Sequence, residues 1–182
     1  MKKNFIFLII ILAVTLQAAP VYWNGNSHYY EVVLQTTNWA TANSAAINAG
    51  GYLATITSAE ENAFIYSLLN DNNLWFFDDY NNGLGPWLGG YRINSSPSGW
   101  AWVTGENFNY TNWAPGEPNN WGGVEDRLHF FGHQTLKSAQ WNDLPQNFNV
   151  HGYIIEYNVM PEMNTLVLFG AALLLLKAFH KK

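Results

Sequence analysis

The chain has 182 residues, no cysteine, and 8 basic against 13 acidic side chains, a formal net charge of −5. The missing cysteines exclude disulfide stapling and thiol chemistry, and the acidic balance is wrong for nucleic acid or an anionic lipid surface. Between residues 20 and 160 the imbalance deepens, with Arg92, Arg127 and Lys137 facing twelve carboxylates at a formal −9, which favours a cation as partner.

The N-terminus carries Lys2-Lys3, an apolar run over residues 5–14 and a softer stretch ending Ala18-Ala19. This three-part layout predicts a secretory signal peptide over residues 1–19. Residues 29–34 are β-branched and aromatic enough for a first strand. Thr37-Asn38 then offers a helix cap, with Trp39, Ala42, Ala46 and Ala49 at helical spacing and Gly50-Gly51 as a stop. A short strand is expected over 52–56. Ser58-Ala59-Glu60-Glu61 reads as a capping box opening a second helix with Phe64, Ile65, Leu68 and Leu69 inward.

Residues 71–86, rich in Asn and Asp around Trp75-Phe76-Phe77, read as a surface excursion. Trp87-Leu88-Gly89-Gly90 predicts a short core strand. Residues 91–126 hold too many Gly and Pro for regular structure, yet Trp100, Trp102, Trp113 and Trp121 are too apolar for disorder. A long loop with its own small core satisfies both facts. Strands are expected again over 127–131, 138–142 and 152–157, which completes one α+β domain over residues 21–158, with two helices and a small mixed sheet. After it come Pro161-Glu162-Met163, twelve uncharged residues (165–176) and a basic end, Lys177 to Lys182. Twelve helical residues cover about 18 Å, short of a hydrocarbon core of about 30 Å.

Three short pieces carry the chemistry: Glu117-Pro118-Asn119, Glu125-Asp126 and Trp141-Asn142-Asp143. Calcium takes six to eight oxygens from carboxylates, amide carbonyls, backbone and water. Glu117, Asn119, Glu125, Asn142 and Asp143 offer five side-chain oxygens, three of them from carboxylates. Without His or Cys the set is a poorer match to zinc. A cis bond before Pro118 would let its two neighbours converge. Trp121 either stacks on an apolar sugar face or packs the loop's core. His129 and His133, four apart along a strand, lie too far from each other to share an ion. Asp78-Asp79 reads as a solvated turn. Glu117 and Glu125 as a glycosidase pair is the enzymatic rival, disfavoured because the flanking asparagines and Asp143 make a cation cage rather than an apolar pocket.

In this order the motifs resemble a C-type lectin domain: the Trp39 helix leading to Gly50-Gly51-Tyr52-Leu53, Glu60-Glu61-Asn62, Trp87-Leu88-Gly89, Glu117-Pro118-Asn119, Glu125-Asp126, Trp141-Asn142-Asp143 and Gly152 to Glu156. The resemblance implies a C-type lectin fold with a long calcium-binding loop. It further implies that Glu117, Asn119, Glu125, Asn142 and Asp143 hold one Ca²⁺, that the bond before Pro118 is cis, and that the ligand is a mannose-, glucose- or fucose-type glycan. The family's usual disulfide positions hold Ala46, Arg127, Gln146 and Ile155, and Arg92 and Asn120 stand where acids of a second calcium site would be wanted. The tail over 159–182 resembles the PEP-CTERM sorting signal of Gram-negative bacteria, with Met163 in place of the second proline and Lys rather than Arg at the end; the alternative is an ordinary membrane anchor with snorkelling lysines. These likenesses imply an exported, non-enzymatic carbohydrate-binding protein of the cell envelope, cell surface or extracellular matrix, touching the membrane through its tail. The competing expectation is a calcium-independent protein or surface adhesion module on the same fold.

Overall fold

The computed structural model describes residues 19–94, 96 and 99–161; the expected leader, save residue 19, and the tail from residue 162 onward lie outside the described residues. Among the described residues no helix is long and apolar enough to cross a membrane. Strand β1 (Val21–Trp23) pairs antiparallel with β2 (His28–Thr37). β1 is three residues long, too short to show a period of two, and the sequence reading passes over it.

Helix α1 (Trp39–Asn48) starts as expected: the Asn38 side chain accepts the Thr41 N–H at 2.9 Å. It ends at Gly50, whose φ of +84° suits a residue without a Cβ. Helix α2 (Ala59–Ser67) is capped by the Ser58 hydroxyl, which accepts the Glu61 N–H at 3.1 Å. The return half of the capping box is absent, because the Glu61 carboxylate accepts instead from the Thr57 N–H at 2.6 Å and from the Tyr30 hydroxyl at 2.5 Å. That ties α2 to β2. Ile65 and Leu69 of the expected inward face are buried, while Phe64 and Leu68 are half-buried.

The strand expected over 52–56 shortens to β3 (Tyr52–Leu53), since the Thr55 N–H and hydroxyl turn to the buried Glu156 carboxylate at 2.9 and 3.1 Å. The surface excursion over 71–86 is corrected more deeply. Leu74 and Trp75 are buried, and β4 (Phe76–Phe77) pairs with β5 (Asn82–Arg92), which runs eleven residues where a short strand was expected. Pro86 hid this strand: lacking an N–H, it sits where the register with β7 (Arg127–His133) slips between Leu84 and Trp87. The supposed breaker segment also yields β6 (Trp100–Trp102), paired back onto the end of β5 with Arg92 opposite Trp100. Strands β8 (Leu136–Leu144) and β9 (Val150–Tyr157) complete a nine-stranded sheet in the order β1-β2-β9-β5-β7-β8, with β3 on β9 and β4 and β6 on β5. Its pairs are antiparallel except β5 with β9, so the sheet is mixed.

The two faces of the sheet bury separate cores. Tyr153 and Ile155 of β9 pack with Trp39, Ala42 and Ala46 of α1, whereas Ile154 packs with Ile65 of α2 and with Trp100, Trp102 and Trp141. Trp141 organises the second core: Trp102, Phe108, Tyr110 and Trp113 meet its ring nearly edge-on, at centroid distances of 5.5–6.3 Å. Its indole N–H donates to Asn62 Oδ1 at 2.9 Å, and the neighbouring backbone pairs with residues 112 and 114 of the loop. The loop therefore does carry its own aromatic core, and that core fixes the β8 segment on which Asn142 and Asp143 sit. Trp141→Ala is expected to cost about 3–5 kcal/mol in urea denaturation. Trp141→Phe, which keeps the ring but leaves Asn62 Oδ1 unsatisfied, is expected to cost about 1–3 kcal/mol.

Candidate functional site

The bond between Glu117 and Pro118 is cis. Beyond it, the Asn119 side-chain amide donates to Glu117 Oε1 and its backbone N–H to Glu117 Oε2, both at 2.9 Å. The same backbone N–H lies 3.1 Å from Asp143 Oδ1, and the Asn120 N–H donates to Asp143 Oδ2 at 3.0 Å. Asn120 is in the left-handed region (φ 50°), which Asn tolerates better than most residues. From there its Oδ1 accepts the Glu125 N–H at 3.0 Å, and Glu125 Oε2 in turn accepts the Trp121 N–H at 2.8 Å. One chain of hydrogen bonds thus links Glu117, Asn119 and Glu125 to Asp143, with Asn142 as its neighbour on β8.

Arg92, at the end of β5, reaches in from behind. Its Nη2 lies 2.6 Å from Asp143 Oδ2, its Nε donates to the Glu125 carbonyl at 3.0 Å, and its Nη1 to the Ser96 carbonyl at 3.2 Å. Sequence reasoning placed Arg92 only as the lack of an acid, and it missed both this role and that of Asn120. The signal available was charge: Arg92 is one of only three basic residues in the domain.

Trp121 is 77% exposed and so does not pack the loop's core. Asp126 stands outside the chain of bonds, paired with Arg127 at 3.0 Å and accepting the Gln146 N–H at 3.1 Å. Both histidines lie on β7, His129 fully buried with its pKa lowered to about 3 by burial, and His133 exposed. Asp78 closes its own turn by accepting the Tyr80 and Asn82 N–H groups. Of the four disulfide positions, Ala46 and Ile155 pack within one core cluster, while Arg127 Nη2 donates to Gln146 Oε1 at 3.0 Å.

Among the described residues no three His, Cys, Asp or Glu side chains converge as ligands of one ion. The carboxylates are held instead by loop N–H groups and by Arg92. The donor set nevertheless suits a hard divalent cation. All five groups present oxygen, three carboxylates and one guanidinium leave a formal −2, and the buried Asn142 Oδ1 has no hydrogen-bond partner. Burial pushes Glu125 up to about 7, opposed by the Trp121 N–H and reinforced by the Asp143 and Glu117 charges. Burial also raises Glu117 above the usual carboxylate range. These acids are crowded and short of positive charge.

A carboxyl whose pKa is raised in the folded state favours folding while protonated. That contribution is complete below about 4.5 and is lost as pH rises through about 7. Buried neutral His129 acts in the opposite sense below its unfolded value of 6.5. Comparison with Glu125→Gln isolates the carboxyl: without metal, the wild-type melting temperature is expected to fall relative to the variant by on the order of 5 °C between pH 4.5 and 7.5. Thermal melts in EDTA check this.

The model of the lectin C-type domain family matches residues 35–154. A perlucin-like protein of Mytilus galloprovincialis is 30% identical over 118 residues, covering 64% of this chain and 68% of its own. The crystal structure of the cow C-type carbohydrate-recognition domain of CD23, obtained in the presence of GlcNAc2Man3 oligosaccharide, superposes with a TM-score of 0.60 at 25% identity, over 78% of this chain and 95% of that one. A calcium-independent type II antifreeze protein has the same fold, with a TM-score of 0.59 at 23% identity over 80% of this chain and 95% of its own. With two helices, a mixed sheet and a family match spanning most of its folded part, the chain belongs to the C-type lectin domain family.

Proposed function

We propose that this protein is a calcium-dependent carbohydrate-binding protein, with Glu117, Asn119, Glu125, Asn142 and Asp143 as the ligands of one Ca²⁺ and of the sugar beside it. The observation that carries the reading is the buried Asn142 Oδ1, which has no hydrogen-bond partner and precedes Asp143 in the chain, together with three carboxylates that retain a formal −2 after Arg92 is counted. Calcium, when bound, would supply a hard Lewis-acidic point able to take two vicinal hydroxyls.

The chain's own groups account for the selectivity. The Asn119 amide and the Glu117 carboxylate satisfy each other at 2.9 Å. A sugar hydroxyl is donor and acceptor at once, so it can replace both halves of that bond and leave neither group unsatisfied. The Glu-Pro-Asn order fits a mannose-, glucose- or fucose-type arrangement of hydroxyls. Trp121, the exposed indole next to the triplet, is the stacking platform for an apolar sugar face. Export is part of this reading and rests on residues 1–19. Placement at the cell surface or in an extracellular matrix, with membrane contact through residues 159–182, rests on the tail's sequence. Burial does raise Glu125, but these acids are set among loop N–H groups, asparagines and Arg92 rather than in an apolar cleft, and the protein is read as a binder rather than an enzyme.

A second reading has its own support. Both Asp143 oxygens already have partners without any ion, which suits a calcium-independent adhesion module on the same fold. Thermal unfolding separates the two. Calcium at one hundred times its dissociation constant is expected to stabilise the protein by about 2.7 kcal/mol, mannose to add to this only when calcium is present, and Asn142→Ala to abolish both effects. No response to calcium in the wild type leaves the adhesion reading.

A further inference from the structure

We propose that Arg92 is a built-in cation that holds the binding loop in place before any metal arrives, a positioning residue acting through Asp143 and the Glu125 carbonyl. The inference deepens the functional reading above and rests on it only for its calcium arm.

Arg92 occupies a place that solvent barely reaches. Its side chain is 7% exposed and that of Asp143 is 0% exposed. A buried guanidinium is retained at a desolvation cost unless its donors are used, and here they are. Nη2 holds Asp143, Nε the Glu125 carbonyl and Nη1 the Ser96 carbonyl. Its Cζ lies over the Trp100 ring, 4.9 Å from the centroid. The Arg92 backbone N–H also donates to the Asp126 carbonyl at 2.9 Å, so one residue pins both ends of the Glu125-Asp126 pair.

Asp143 passes this order on. The oxygen that meets Arg92 also accepts the Asn120 N–H, and its other oxygen accepts the Asn119 N–H. Without a positive charge beside it, three carboxylates would repel one another across the loop. With Arg92 the residual charge is −2, which one divalent ion neutralises. The arginine therefore does two things a second metal ion would otherwise do: it orders the loop, and it limits the demand for cations to one.

Arg92→Met keeps the stem over Trp100 and removes the charge. The experiment is hydrogen exchange of the Asn119, Asn120 and Trp121 amides in the full protein, in EDTA and then in excess CaCl₂, with amides of the β2–β9 pairing as an internal reference. In EDTA the three loop amides of the variant are expected to exchange at least about tenfold faster than in the wild type while the reference amides keep their rates. In calcium, loop exchange is expected to return to within about twofold of the wild type. Unchanged loop exchange in EDTA, or an equal rise at every amide, overturns the proposal. So does a loop that calcium binds in the wild type but cannot restore in the variant. If wild-type calorimetry shows no calcium uptake, the calcium-dependent function falls while the EDTA comparison still decides the role of Arg92.

Discussion

Taking a carboxylate out of water costs several kcal/mol unless its lone pairs are used, and at Asp143 they are used by groups from two distant parts of the chain. Arg92 comes from the end of β5, the Asn119 and Asn120 N–H groups come from the loop, and Asp143 itself belongs to β8. The loop between β6 and β7 has little regular structure of its own. Its conformation is therefore set by what it must satisfy. A buried anion that needs donors dictates where residues 119 and 120 go, and the placement of Glu117, Trp121 and Glu125 follows from them.

Beneath the loop, the aromatic cluster around Trp141 gives this arrangement a rigid floor. The division of labour is clear: indole rings supply non-directional burial, and the carboxylate supplies direction. A similar pairing recurs on the same face of the sheet, where Tyr30, a member of the Trp141 core, donates to Glu61 at 2.5 Å and lies 3.2 Å from Glu156, and His28 meets Glu156 at 2.6 Å. Burial raises the pKa of Glu156, and the His28 contact opposes that rise. In both places acids are kept inside the fold by partners from separate elements, so the polar contacts fix which segments must meet.

Much of this was legible in the sequence where chemistry is local. Asn38 and Ser58 cap helices because their side chains reach an N–H three residues on, a rule that needs no tertiary context. Glu117-Pro118-Asn119 and Trp141-Asn142-Asp143 stood out as unusual neighbours. The two helices, the mixed sheet and the aromatic core of the loop were all within reach of spacing and composition. What escaped depended on distant partners. Gly85-Pro86 masked the continuity of β5, because a strand with a register slip looks like a turn when its ladder partner is unknown. Glu61 looked like half of a capping box, and only the presence of Tyr30 and Thr57 explains why it turns away. Arg92 is an ordinary residue until Asp143 lies beside it.

The bracing of the loop by Arg127 and Gln146 has a consequence for where this domain can work. The two side chains bond at 3.0 Å at the loop's base, and Arg127 also lies 4.6 Å from the Trp39 ring centroid. No thiol or disulfide takes part in this clasp. The chain can therefore mature in an anaerobic or sulfide-rich setting without a thiol oxidase, and its loop is indifferent to glutathione. What answers to salinity is the adjoining ion pair of Arg127 with Asp126, whose side chains are 15% and 33% exposed and whose attraction weakens as salt accumulates.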